Sequence, residues 1–125
     1  MFLLLDDLEP CGGGTMVLDG SPLLVRRFSE SHPELRDARA ARWKRALMAS
    51  SGYLERLGNT RDSAPDRTDF FMGRETEVDG VCVRVAEITG RAGDVYVCHP
   101  LLLHSPPQAN AGRRPRMMRT LRVYH

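Results

Sequence analysis

The chain has 125 residues, 42% of them apolar and 27% charged, with a formal net charge of +2 at neutral pH. That balance belongs to a globular protein and excludes a disordered tail or a membrane protein, and the length suits a single domain, residues 1–125, around one core. Lys44 is the only lysine, and acidic residues are interleaved with the arginines through most of the chain, so a nucleic-acid partner is not indicated.

Phe2-Leu3-Leu4-Leu5 is a short apolar run closed by Asp6-Asp7 and Pro10, the pattern of an interior strand. It is too short and lacks the positive flank for a signal peptide or a membrane span. An interior strand needs neighbours on both sides, and nothing earlier in the sequence supplies one, which predicts that the chain is part of a longer fold. Cys11-Gly12-Gly13-Gly14 reads as a turn, Thr15-Met16-Val17-Leu18 as a second strand and Asp19-Gly20-Ser21-Pro22 as its closing turn.

Ser31 and Glu34 stand at capping-box spacing with Pro33 between them, which predicts a helix start. Leu35, Ala38, Ala41, Trp43, Ala46, Leu47 and Leu54 recur at roughly helical spacing as far as about residue 57, with Ser50-Ser51-Gly52 as a break. Residues 58–69 are rich in Asn, Asp, Ser, Arg and Pro and read as an exposed, mobile loop. Strands are predicted over 81–88, where Val81, Val83 and Val85 alternate with more polar residues, over 94–98 and over 117–124. The sum is a mainly β chain with an inserted helix, arranged as an antiparallel sandwich or jelly roll. Cys11, Cys82 and Cys98 are odd in number and lack metal-binding spacing, which points to a reducing cytoplasm and to small apolar fillers.

Two stretches carry a family resemblance. Residues 3–21, LLLDDLEPCGGGTMVLDGS, and residues 93–116, GDVYVCHPLLLHSPPQANAGRRPR, resemble the central hairpin and the distal site segment of the phytanoyl-CoA dioxygenase-like family of iron(II)/2-oxoglutarate-dependent oxygenases. They lie at the two ends of the chain in the family's order. The resemblance implies the C-terminal portion of a double-stranded β-helix, a cupin-like jelly roll, acting on a small-molecule substrate. His104 then matches the distal iron ligand. Arg116, with Arg114 as second choice, matches the arginine that pairs with the far carboxylate of 2-oxoglutarate, and His99 is a supporting residue. The chemistry agrees: neutral imidazole suits iron(II), and the guanidinium fork matches a carboxylate with two parallel hydrogen bonds.

One part of the family pattern is missing. The His-x-Asp or His-x-Glu pair that completes the iron site precedes the hairpin, where this sequence begins. His32-Pro33-Glu34 has the spacing but coincides with the predicted helix start. The expectation is therefore a truncated oxygenase, with a non-catalytic remnant as the alternative, able to pair with a second copy or a complementing chain through an exposed sheet edge. A phosphate- or nucleic-acid-binding module built on the arginines of residues 113–122 is disfavoured by the scarcity of aromatic residues beside them.

Overall fold

The apolar run at the start of the chain forms the middle strand of a three-stranded sheet, with both neighbours drawn from the end of the sequence. The computed structural model describes all residues except positions 60, 63, 65, 108, 109, 113, 114 and 123–125. In chain order the elements are β1 (Phe2–Leu4), β2 (Met16–Asp19), α1 (Ser21–Ser31), a 3-10 turn (Pro33–Leu35), α2 (Ala40–Ala49), α3 (Gly52–Gly58), α4 (Arg67–Phe71), β3 (Glu75–Val78), β4 (Val81–Glu87), β5 (Val95–Tyr96), β6 (His104–Ser105) and β7 (Met118–Thr120). The architecture is mixed α/β with two antiparallel sheets, and its helical share exceeds the single inserted helix that the sequence suggests. The chain forms two compact units, one from residues 1–18 and 86–125 and one from residues 19–85.

In the first unit β1 pairs antiparallel with β5, Phe2 opposite Tyr96, and with β7, Leu4 opposite Met118. The ladder continues at its ends: Met1 and Leu121 exchange two hydrogen bonds of 2.9 Å, and the Leu5 amide donates to Met117. Side chains alternate across a strand, so Phe2 and Leu4 turn inward to a core with Leu8 and Ile88, against which Val17, Tyr96, Cys98 and Met118 pack. Leu5, Val95 and Met117 are left exposed. β2 and β6 pair antiparallel, with Met16 opposite Ser105 and Val17 opposite His104. The Ile88 amide donates to Thr15.

The second unit holds the helices and the β3–β4 hairpin. The stretch predicted as a closing turn is instead the start of α1. Gly20 sits at φ 79 before it, Pro22 lies in its first turn, and Leu24, Val25 and Phe28 make one buried stripe. A Cβ on Gly20 would lie 2.2 Å from the Cys82 carbonyl, so only glycine fits. The capping box predicted at Ser31 and Glu34 does not form, because Ser31 is the last residue of α1 and residues 33–35 make only a 3-10 turn with no side-chain cap. His32 finishes α1: its Nδ1 bonds the Phe28 carbonyl at 2.9 Å and its ring stacks on Phe28. The predicted break at residues 50–52 is real, and there the Ser51 hydroxyl accepts from the Leu54 amide.

Asp79 and Gly80, both at positive φ, make the two-residue turn between β3 and β4, whose register runs from Glu75 opposite Arg84 to Val78 opposite Val81. Val81, Val83 and Val85 are buried while Cys82 and Arg84 face out, as the alternation predicts. The described residues of the stretch read as a mobile loop are anchored. Asp62 Oδ2 accepts from Arg56 Nε and from Arg67 Nη1, each at 3.0 Å, and Arg56 Nη2 donates to Asp66 Oδ1 at 3.0 Å. The Arg56 guanidinium lies 4.3 Å from the Phe70 ring centre and that of Arg67 lies 5.0 Å from Phe71. The end of the stretch belongs to α4.

Candidate functional site

His104 is carried by β6, a strand of two residues whose direction is set wholly by pairing with β2. Opposed residues of an antiparallel pair put their side chains on one face, and Val17, opposite His104, packs against the core. His104 therefore leans the same way, and its ring meets the buried Phe2 of β1 edge-on at 5.8 Å between centres. The imidazole spans from one sheet toward the other. Its Nδ1 lies 3.0 Å from the Leu102 carbonyl. A carbonyl only accepts, so Nδ1 carries a proton in this contact, and a neutral ring would present Nε2 as its acceptor or ligand atom.

Arg116 contacts the glycine turn that precedes β2. It lies two residues before Met118, which faces the core, and its Nη1 donates to the Gly13 carbonyl at 3.2 Å. The Thr15 hydroxyl meets Met118 Sδ at 3.4 Å. Along residues 13–17 the Gly13 carbonyl holds Arg116, Thr15 meets Met118, and Val17 opposes His104. Gly13 and Val17 are four residues apart, a span of at most about 14 Å. As whole residues His104 and Arg116 are both solvent-exposed.

The other candidates fare differently. His99 closes its own turn, with Nδ1 accepting from the Leu101 amide at 3.1 Å and its carbonyl from Leu102, and none of these contacts is to His104. Arg114 and its neighbour Arg113 lie outside the described residues. His32 belongs to the end of α1. Cys98 packs against the core as an apolar filler, but Cys11 and Cys82 are exposed, correcting that reading for two of the three thiols. Cys82 falls on the outer phase of β4, and Cys11 sits at φ 62 in the glycine turn.

The sequence reading passed over Glu87. At the end of β4 its carboxylate accepts two backbone amides, Cys11 on Oε2 at 2.7 Å and Gly14 on Oε1 at 2.6 Å. The available signal was a triglycine turn, whose amides need acceptors, but nothing in the chain order says that the acceptor stands more than seventy residues downstream.

Iron(II), which the resemblance implies, does not fit the described residues by themselves. A facial iron site takes three protein ligands, whereas Phe2, Val17 and Leu102 around His104 offer no coordinating side chain. Among the described residues no group of three His, Cys, Asp or Glu could hold a metal ion. No protein-family model, curated protein or solved structure matches the chain. Among the described residues no helix is long and apolar enough to cross a membrane.

Proposed function

We propose that this chain is the distal part of an iron(II)/2-oxoglutarate-dependent dioxygenase of the phytanoyl-CoA dioxygenase-like family, with His104 as one metal ligand and Arg116 as the anchor for the far carboxylate of 2-oxoglutarate. The observation that carries this reading is that one short segment touches both residues: the Gly13 carbonyl accepts from Arg116, and Val17, four residues on, pairs with His104. Strand order supports it as well. β1, β5 and β7 lie in one sheet and β2 and β6 in the other, so the chain changes sheet between β1 and β2, between β5 and β6, and again between β6 and β7. A double-stranded β-helix would wind in this alternating way, which is what supports the reading.

The chain's own residues supply an anchor and an oriented imidazole. Oxidation of a small-molecule substrate in the cytoplasm needs two further ligands from a segment outside the described residues. Such a segment could lie along the edge of β6, which among the described residues pairs with β2 alone. A second reading is favoured because no further metal ligands join His104 among the described residues: a non-catalytic relative of the fold that keeps the carboxylate site and no metal.

Calorimetric titration of the full chain with 2-oxoglutarate, with and without manganese(II) as a redox-silent substitute for iron, tests both. The first reading expects binding that Arg116→Ala weakens strongly but leaves measurable, and an enhancement by metal that His104→Ala removes. The second expects the same dependence on Arg116 without metal enhancement. Absence of binding, or binding indifferent to Arg116→Ala, rejects the carboxylate site altogether.

A further inference from the structure

The turn that meets Arg116 is built without slack. A Cβ on Gly12 would lie 2.7 Å from the Glu9 carbonyl, one on Gly13 2.9 Å from Asn110 Cβ, and one on Gly14 2.2 Å from the Ile88 carbonyl. Gly13 is at φ 83 and Cys11 at φ 62. Backbone bent this tightly gathers N–H groups into a concavity that favours an anion, and the Glu87 carboxylate fills it through the amides of Cys11 and Gly14. The Gly13 carbonyl, held between those two clamped amides, accepts from Arg116 Nη1. The segment leading to Arg116 touches the same turn again, where the Ala111 amide donates to Cys11 at 3.0 Å.

We propose that Glu87 is a positioning residue for Arg116. By clamping the glycine turn it aims the Gly13 carbonyl, and that carbonyl fixes one edge of the guanidinium so that the rest of the fork faces a dicarboxylate. The inference rests on the reading of Arg116 as the 2-oxoglutarate anchor. A negatively charged acceptor holds two amides more strongly than a neutral one. A guanidinium tied by a neutral carbonyl spends one of its five donors and keeps its full charge for the ligand.

The variant Glu87→Gln keeps the shape and removes the charge. In the 15N-labelled full chain it is expected to shift the Gly14 amide and to broaden the Arg116 guanidinium signal, which is assigned by its loss in Arg116→Ala. Amides of the β3–β4 hairpin are expected to stay in place. Binding of 2-oxoglutarate weakens roughly tenfold, the scale on which outer partners of a binding group act, with no additional loss when Glu87→Gln is combined with Arg116→Ala. Glu87→Asp, which keeps the charge, lies between, and serves as the test if the glutamine variant does not fold.

Gly14 and Arg116 signals indifferent to both substitutions would overturn the proposal, as would a binding loss in Glu87→Gln that adds to that of Arg116→Ala. An Arg116 signal that responds to Glu87→Gln in a chain that binds no 2-oxoglutarate upholds the positioning role and rejects the carboxylate site.

Discussion

Gly14 shows how little freedom single positions keep around the site. Its missing side chain lets the Ile88 carbonyl approach to where a methyl group would stand, so Gly14→Ala should destabilise the protein by about 2–3 kcal/mol, measured by chemical denaturation. Tyr53 is the opposite case. Its hydroxyl is buried, has no hydrogen-bond partner among the described residues, and is pushed by that burial above the ordinary phenol range. Removing an unsatisfied polar atom recovers its desolvation cost, so Tyr53→Phe should stabilise by about 1 kcal/mol in the same assay. At this scale His104, His99, Arg116 and Arg114 were candidates through the resemblance alone, whereas Glu87 was not, because a carboxylate that clamps a distant turn looks like any other strand-end glutamate.

Single elements were legible where one strand or helix carries its own pattern. The alternation of Val81, Val83 and Val85 specified β4, and Ser51 marked the break between α2 and α3. β5 and β6, with two residues each, have no period to read, since their existence depends on partners. Asp79-Gly80 was a readable hairpin signal that passed unused, and α1 was hidden because Gly20-Ser21-Pro22 serves equally as a turn or a helix entry.

The latch around α3 and α4 yields a pH prediction. Hydrogen bonds from the Ala64 amide, then from Arg56 and Arg67, hold the Asp62 carboxyl below its ordinary value of 3.8. A carboxylate depressed in this way contributes its full stability above 3.8 and loses it as the pH falls through the lower folded value. The Ala64 amide resonance should therefore report an intact latch at neutral pH and an opening only on the acid side of 3.8, and Asp62→Asn should abolish that transition.

The molecule as a whole depends on pairings between its two ends. Leu4 is 1% exposed in the middle strand, and Leu4→Ala should cost about 2–5 kcal/mol in the first unit, read from the loss of amide protection in β5 and β7. Such distant partners predict refolding in milliseconds to seconds rather than microseconds, measurable by stopped-flow fluorescence. The sequence announced β1 as an interior strand but misplaced its neighbours, looking upstream when they lie far downstream, because strand patterns carry no information about which strand pairs with which. For the same reason the composition of the two sheets could not be read from the residues alone. The central position of β1 has a consequence for biosynthesis. At about 5–20 residues per second, Phe2 leaves the ribosome roughly 5 to 20 seconds before Tyr96, its first partner. Through that interval both edges of a greasy ribbon stand bare on the nascent chain, which makes it a natural client for a holding chaperone.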